Sequence, residues 1–264
     1  LRINDNVSKM DNQSIKGETK MKGKAVFDIL LLIARPAAGK SELINYLKGI
    51  PLDERIEQFH IGNIKEIDDF PMLWAWFEED ALLAKMGYPR LHIDSEGFFL
   101  GQHLWDLLVE RIGLEYLKNL RNIPAYSESF TTIIEFSRGK EHGGYKSAFS
   151  HLLPQILEKI AVVYIDVSWE ESLRKNRKRF NPDKPDSILE HSLPDSKLER
   201  LYKEDDWMEI SQERSQFLTI QGIHVPYVVF DNSDDLTTLG GDALGARLEQ
   251  VLSRLWVLYK NPIT

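Results

Sequence analysis

Ala34-Arg35-Pro36-Ala37-Ala38-Gly39-Lys40-Ser41 follows directly on the apolar run Phe27-Asp28-Ile29-Leu30-Leu31-Leu32-Ile33, and Glu42-Leu43-Ile44-Asn45-Tyr46-Leu47 continues from it with helical spacing. A buried strand that turns tightly into a helix aims several backbone N–H groups, and the positive end of the helix dipole, at one point in space. That point attracts phosphate. Gly39 lets the backbone approach without a Cβ, the Lys40 ammonium can reach β- and γ-phosphates, and the Ser41 hydroxyl can take a Mg²⁺ coordination position. The candidate nucleotide-binding residues are therefore Ala34, Arg35, Pro36, Ala37, Ala38, Gly39, Lys40, Ser41 and Glu42.

This stretch resembles the Walker A motif of P-loop proteins, with alanine at two positions where glycine is commonest. Ala34 stands for the opening glycine, and Ala37 for the glycine of the Gly-x-Pro-Gly-x-Gly-Lys version found in many small P-loop kinases. Alanine costs little at negative φ and is strained at a left-handed position, so the backbone at Ala37 decides whether the substitution is neutral.

The bulk composition bounds the function classes. A chain of 264 residues can bury one sizeable core, and 41 acidic against 33 basic residues give a formal charge of −8. That balance argues against broad electrostatic binding to nucleic acid or anionic lipid. The sequence has no cysteine, which excludes disulfides and thiolate metal sites; with no secretory signal and no long apolar span it reads as cytoplasmic. Residues 1–23 are polar and aperiodic and read as a flexible extension, leaving 24–264 as a single domain. An opening Leu1 with methionines at Met10 and Met21 reads as a fragment, a non-standard start or a processed end.

Further apolar and β-branched runs at Gln58-Phe59-His60-Ile61, Thr131-Thr132-Ile133-Ile134-Glu135-Phe136, Ala161-Val162-Val163-Tyr164-Ile165-Asp166-Val167 and Val225-Pro226-Tyr227-Val228-Val229-Phe230 read as strands. Helical spacing recurs at 103–120, 148–160 and 244–258. Short buried strands alternating with helices predict an α/β fold, a parallel sheet covered on both faces.

Phosphoryl transfer needs carboxylates and cations around the phosphate site, and the chain offers them in order. Glu66-Ile67-Asp68-Asp69-Phe70 is similar to the Asp-Asp-Phe signature of uridine-kinase-like enzymes, which implies that Asp68, with Asp69 as the alternative, faces an acceptor hydroxyl. Glu135, at the end of the third strand, is placed to hold Mg²⁺ through water, and Arg138 to clamp an anionic group. Ser168 with Glu171 makes a capping box that starts a basic helix carrying Arg174, Arg177 and Lys178 on one face and Arg179 at its end. That run resembles the lid of nucleoside and nucleoside-monophosphate kinases, a region spanning about 170–207 here, and Arg179 joins the nucleotide-binding set. The segment 71–123 corresponds to a substrate-covering insertion, and Asp231-Asn232-Ser233-Asp234-Asp235 lies where small P-loop kinases contact the base.

Taken from about 24 to 259, the order of motifs resembles the nucleoside/nucleotide kinase-like branch of P-loop proteins. The resemblance implies a three-layer fold with a five-stranded parallel sheet and a helical lid, an ATP–Mg²⁺ donor, and a small-molecule hydroxyl acceptor. Nucleoside-monophosphate kinase, polynucleotide kinase and a non-kinase nucleotide-dependent switch or ATPase are the alternatives.

Overall fold

The computed structural model describes residues 25–179 and 193–263. The expected extension at 1–23, and the part of the expected lid at 180–192 with the helix stop near Pro182, lie outside them.

Leu30, Leu32 and Ala34 of β1 (Ile29–Ala34) point to one face of a sheet, where Leu43, Ile44 and Leu47 of the helix Lys40–Gly49 and Leu244, Leu248, Leu252 and Leu255 of the helix Gly241–Lys260 pack on them. Ile29, Leu31 and Ile33 point to the other, against Val109, Ile112 and Tyr116 of the helix Gln102–Asn122. All six residues of β1 are buried. A strand covered on both faces has no polar side, which is why its sequence is a continuous apolar run.

Beside β1, the strands β2 (Asn63–Asp68), β3 (Phe130–Phe136), β4 (Ile160–Asp166), β5 (Phe217–Ile220) and β6 (Ile223–Asp231) complete a sheet of order β2-β3-β1-β4-β6-β5. The sheet is parallel from β2 to β6, and β5 runs antiparallel to β6. Six strands therefore replace the five expected. The sixth is the first arm of a hairpin whose two-residue turn, Gln221-Gly222, has positive φ at both positions (51° and 81°), the backbone that matches strand twist in a tight hairpin.

Two further expectations are corrected. Gln58-Phe59-His60-Ile61 is not the second strand: Phe59 ends the helix Leu52–Phe59, and the strand follows at Asn63–Asp68. As the edge strand it keeps several half-buried and exposed side chains, so its composition is more polar than that of the central strands. The expected helix at 148–160 is two short helices, Gly144–Ser150 and Pro154–Leu157, separated at Leu152-Leu153, and Ile160 already belongs to β4. Proline lacks the N–H needed to continue a helix, and it sits here at a first helical position.

Winding reverses at β1. β2 and β3 lie to one side and β4 and β6 to the other, and in open α/β sheets the crevice at the carboxyl end of such a switch point collects ligands.

Candidate functional site at the carboxyl edge of the sheet

The chain leaves β1 at Ala34 and enters the helix at Lys40 through a loop that lines a cavity of about 240 Å³ with Pro36, Ala37, Ala38, Gly39, Lys40, Ser41 and Glu42. Gly39 sits at φ 110°, and a Cβ there would collide with the Thr237 side chain, 2.4 Å from its hydroxyl oxygen. Only glycine fits. Asn232 holds the loop from behind, donating from Nδ2 to the Ala38 carbonyl (2.9 Å) and to Thr237 Oγ1 (2.8 Å), while its Oδ1 accepts from the Thr237 N–H (3.1 Å). Ala37 adopts φ 57°, a left-handed conformation that costs an alanine roughly 1 kcal/mol or more.

The other walls come from the ends of neighbouring strands. Parallel pairing places Asp68, the last residue of β2, directly beside Glu135 of β3, which is itself beside Leu32 of β1. Asp68, Glu135 and Lys40 therefore share one cavity, joined by Arg179 from the end of the helix Trp169–Arg179. Lys40 donates to Ser137 Oγ at 2.8 Å. Burial pulls its ammonium below the ordinary lysine range, opposed by the charges of Glu135 and Asp68. Burial, followed by the nearby charges of Glu135 and Asp69, pushes the Asp68 carboxyl up to about 7. Glu135 is also raised, chiefly by burial, with Lys40 opposing.

Asp69 and Arg138 are committed to each other. Arg138 is 3% exposed and donates to Asp69 Oδ2 at 2.6 Å, with further bonds to the carbonyls of Ser137 and Trp105. Its guanidinium also lies over the Trp105 and Phe136 rings. Both adjacent aspartates line the cavity, Asp69 neutralised by Arg138 and Asp68 accepting the Phe70 N–H (3.0 Å).

Several expected residues are placed elsewhere. Ala34 is buried in β1, and Arg35 turns away from the cavity to Asp205 (3.0 Å) and the Val167 carbonyl (3.2 Å), tying the loop to the segment after the helix Asp195–Tyr202. Of the expected capping box one half forms: the Glu171 N–H donates to Ser168 Oγ (3.1 Å), while the Glu171 carboxylate accepts from Arg174 (2.6 and 2.8 Å). Arg174 pairs with Glu171 and Asp235, and Arg177 with Asp195, both outside the cavity. Asn176, between them, lines it. The helix twist of 100° per residue decides this: positions 176 and 179 share a face that 174 and 177 do not.

A second, larger cavity of about 540 Å³ opens beside the first, and Phe70, Leu73, Trp105, Leu193 and Tyr202 border both. Its walls come from the 71–123 segment, including Trp74, Phe77 and the loop holding Phe98 and Phe99, and from residues 141–142 and 193–202. Asp80, fully buried, anchors that loop by accepting from the N–H groups of Leu91, His92 and Ile93 at 2.7–2.9 Å. Residues that sequence reading missed are Ser137, Asn176, Trp105, His142, Tyr202 and Thr237. Asn232 was read only as part of a base-contacting loop, although an asparagine just after a strand is a recognisable turn signal.

The result is an α/β protein with a six-stranded, mostly parallel sheet and a polar cavity at its carboxyl edge. No protein-family model matches the chain, and no curated protein does. Solved structures similar to it include the Thermus thermophilus protein TT1252, with 12% identity, a TM-score of 0.41, and coverage of 88% of this chain and 97% of that one. A sugar kinase from Janibacter sp. HTCC2649 gives 11% identity, a TM-score of 0.39, and coverage of 90% and 99%. At this distance neither carries an activity or a substrate over to this chain. Among the described residues, no helix is long and apolar enough to cross a membrane.

Proposed function

We propose that this chain is an ATP-dependent kinase of the P-loop type that moves a γ-phosphoryl group to the hydroxyl of a small molecule. The observation that carries this reading is the convergence of the Gly39-Lys40-Ser41 helix start, Asp68, Glu135 and Arg179 on one cavity. The helix N-terminus and loop N–H groups attract phosphate, and Lys40 and Arg179 supply cations where charge develops on the transferring group. Asp68 accepts the hydroxyl proton as the oxygen forms its bond to the γ-phosphorus, while the bond from that phosphorus to the β–γ bridging oxygen breaks and ADP departs.

The residues fit Mg²⁺ only as a shared ligand. No cluster of three or more histidines and carboxylates forms a cation cage among the described residues, but Ser41 and Glu135 line the same cavity. Such a pair suits Mg²⁺, which takes few protein ligands and completes its shell with phosphate oxygens and water. Ser41 would hold it directly and Glu135 through water, and the ion would neutralise phosphate charge.

A hydroxyl acceptor is preferred to a phosphate acceptor because Arg138, the strand-end cation, is already spent on Asp69. Lys40→Ala tests the reading. ATP turnover should fall by about 10²-fold or more while circular dichroism stays native; wild-type turnover in the folded variant would overturn it.

A further inference from the structure

The loop between β1 and the helix Lys40–Gly49 carries an alanine, Ala37, where it turns left-handed (φ 57°), so contacts from outside the loop must hold that conformation. Ser172 holds the Pro36 carbonyl (2.8 Å) and Asn232 the Ala38 carbonyl (2.9 Å). Arg35 holds the entry. Its Nη1 donates to the Val167 carbonyl (3.2 Å) and its Nη2 to the Lys203 carbonyl (3.4 Å), and Nη2 lies 3.0 Å from Asp205 Oδ2.

Asp205 stands on fixed ground. Its Oδ1 accepts the Trp207 N–H (3.1 Å), and the Glu204 carbonyl accepts the Lys140 N–H (2.8 Å). The Asp206 carboxylate accepts the N–H groups of Tyr145 and Lys146 (2.7 and 3.0 Å). A Cβ on Gly139 would collide with the Leu201 carbonyl, so this segment packs directly on the turn that follows β3.

The Arg35–Asp205 pair is poorly built for stability. Arg35 Nε and Asp205 Oδ2 are buried with no hydrogen-bond partner among the described residues, and so is the hydroxyl of Tyr145, which lies within range of both charges. Buried charges whose polar atoms go unmatched gain little over apolar side chains of similar volume. Neither residue lines the cavity, so neither touches what binds there.

We propose that Arg35 and Asp205 are positioning residues. Their pair braces the phosphate loop against the segment after the helix Asp195–Tyr202, which keeps Ala37 left-handed and the loop N–H groups aimed at one point. The inference rests on reading the cavity as a nucleotide site.

Charge and bracing predict opposite signs for Asp205→Asn. The variant keeps the shape and removes a negative charge near the site of a polyanion, so attraction alone would tighten nucleotide binding, whereas a lost brace weakens it. Titration calorimetry of the full chain uses adenylyl imidodiphosphate with Mg²⁺. Asp205→Asn and Arg35→Ala should each bind about 10-fold more weakly, and the double variant should also lose about 10-fold rather than 100-fold, because both substitutions remove one brace. Amide hydrogen exchange at residues 37–41 should quicken in each variant while the β1 core keeps wild-type protection. Should Asp205→Asn not fold, Arg35→Lys carries the test: it keeps the charge without the planar fork and should bind about 3-fold more weakly.

Tighter or unchanged binding in Asp205→Asn, a 100-fold loss in the double variant, or wild-type affinity in Arg35→Lys would overturn the brace. So would a lower melting temperature with unchanged affinity, the mark of a role in stability alone. A wild type that binds no nucleotide would overturn the brace and the kinase reading together. Binding that follows these expectations, with no phosphoryl transfer to any alcohol, would uphold the brace and sink the kinase reading.

Discussion

Asp68 and Asp69 differ by one position and by everything that surrounds them. Asp69 neutralises a buried arginine, so Asp69→Asn leaves the Arg138 charge uncompensated and should lower unfolding free energy by about 3–5 kcal/mol. Asp68→Asn should instead slow transfer about 10²-fold and leave the fold intact. Its stability effect has a definite sign. In the ligand-free protein the Asp68 carboxyl titrates near 7, above the about 3.9 of an unfolded chain, so the native state retains a proton the unfolded state has lost and stability falls as pH rises through that window. Asp68→Asn removes the fall. Urea midpoints should show the variant gaining on wild type at about pH 8 and matching it at about pH 3; an equal gap at both would mean that the raised carboxyl is not Asp68. Ala37 is the other residue whose conformation matters. At φ 57° glycine carries no Cβ strain, so Ala37→Gly should raise the melting temperature by a few degrees, about 1 kcal/mol, and no gain would place the alanine outside the left-handed region.

At the scale of an element, the helix Trp169–Arg179 divides its basic residues between two faces. Arg174 and Arg177 are exposed and paired with Glu171, Asp235 and Asp195, and exposed pairs of this kind are worth about 0–1 kcal/mol. Arg179 reaches the cavity. Among single alanine variants, Arg179→Ala should therefore show the largest loss of kcat, with a smaller change in ATP affinity, because its charge matters most as the transferring group develops. Steady-state kinetics across the three variants decides the order; a larger kcat loss at Arg174 or Arg177 would mean that the helix rotates to present them. The Ser168 cap and the basic run were legible in the sequence, but which side of the helix meets the loop was not. That depends on Ser172 donating to the Pro36 carbonyl (2.8 Å) and on Lys175 lodging beside Thr237. These contacts join residues more than sixty positions apart.

For the whole molecule, a ligand that binds only the native state raises stability by mass action. ATP with Mg²⁺ at about a hundred times its dissociation constant should add about 2.7 kcal/mol, seen as a rise of several degrees in the melting temperature that shrinks in Lys40→Ala. The same rise in the variant would place the nucleotide away from Lys40. Net charge of −8 does not by itself oppose such binding, because Lys40, Arg138 and Arg179 stand among the carboxylates of the cavity and the loop N–H groups add to them.

What the sequence determined by itself were the features fixed by short-range physics. A short continuous apolar run closed by a glycine-bearing turn fits a strand buried on both faces, Gly39-Lys40-Ser41 marks where that strand turns into a helix, and the leucine spacing at 244–258 marks the closing helix. Periodicity failed where burial is one-sided or interrupted, as at the edge strand Asn63–Asp68 and around Pro154, and it missed the Gln221-Gly222 hairpin that adds the sixth strand. Only the tertiary structure decided which of two neighbouring aspartates is spent on an ion pair, because that choice belongs to Arg138, sixty-nine positions away from Asp69. It alone gathered the aromatic cavity, since those rings come from separate segments and no local pattern specifies their meeting.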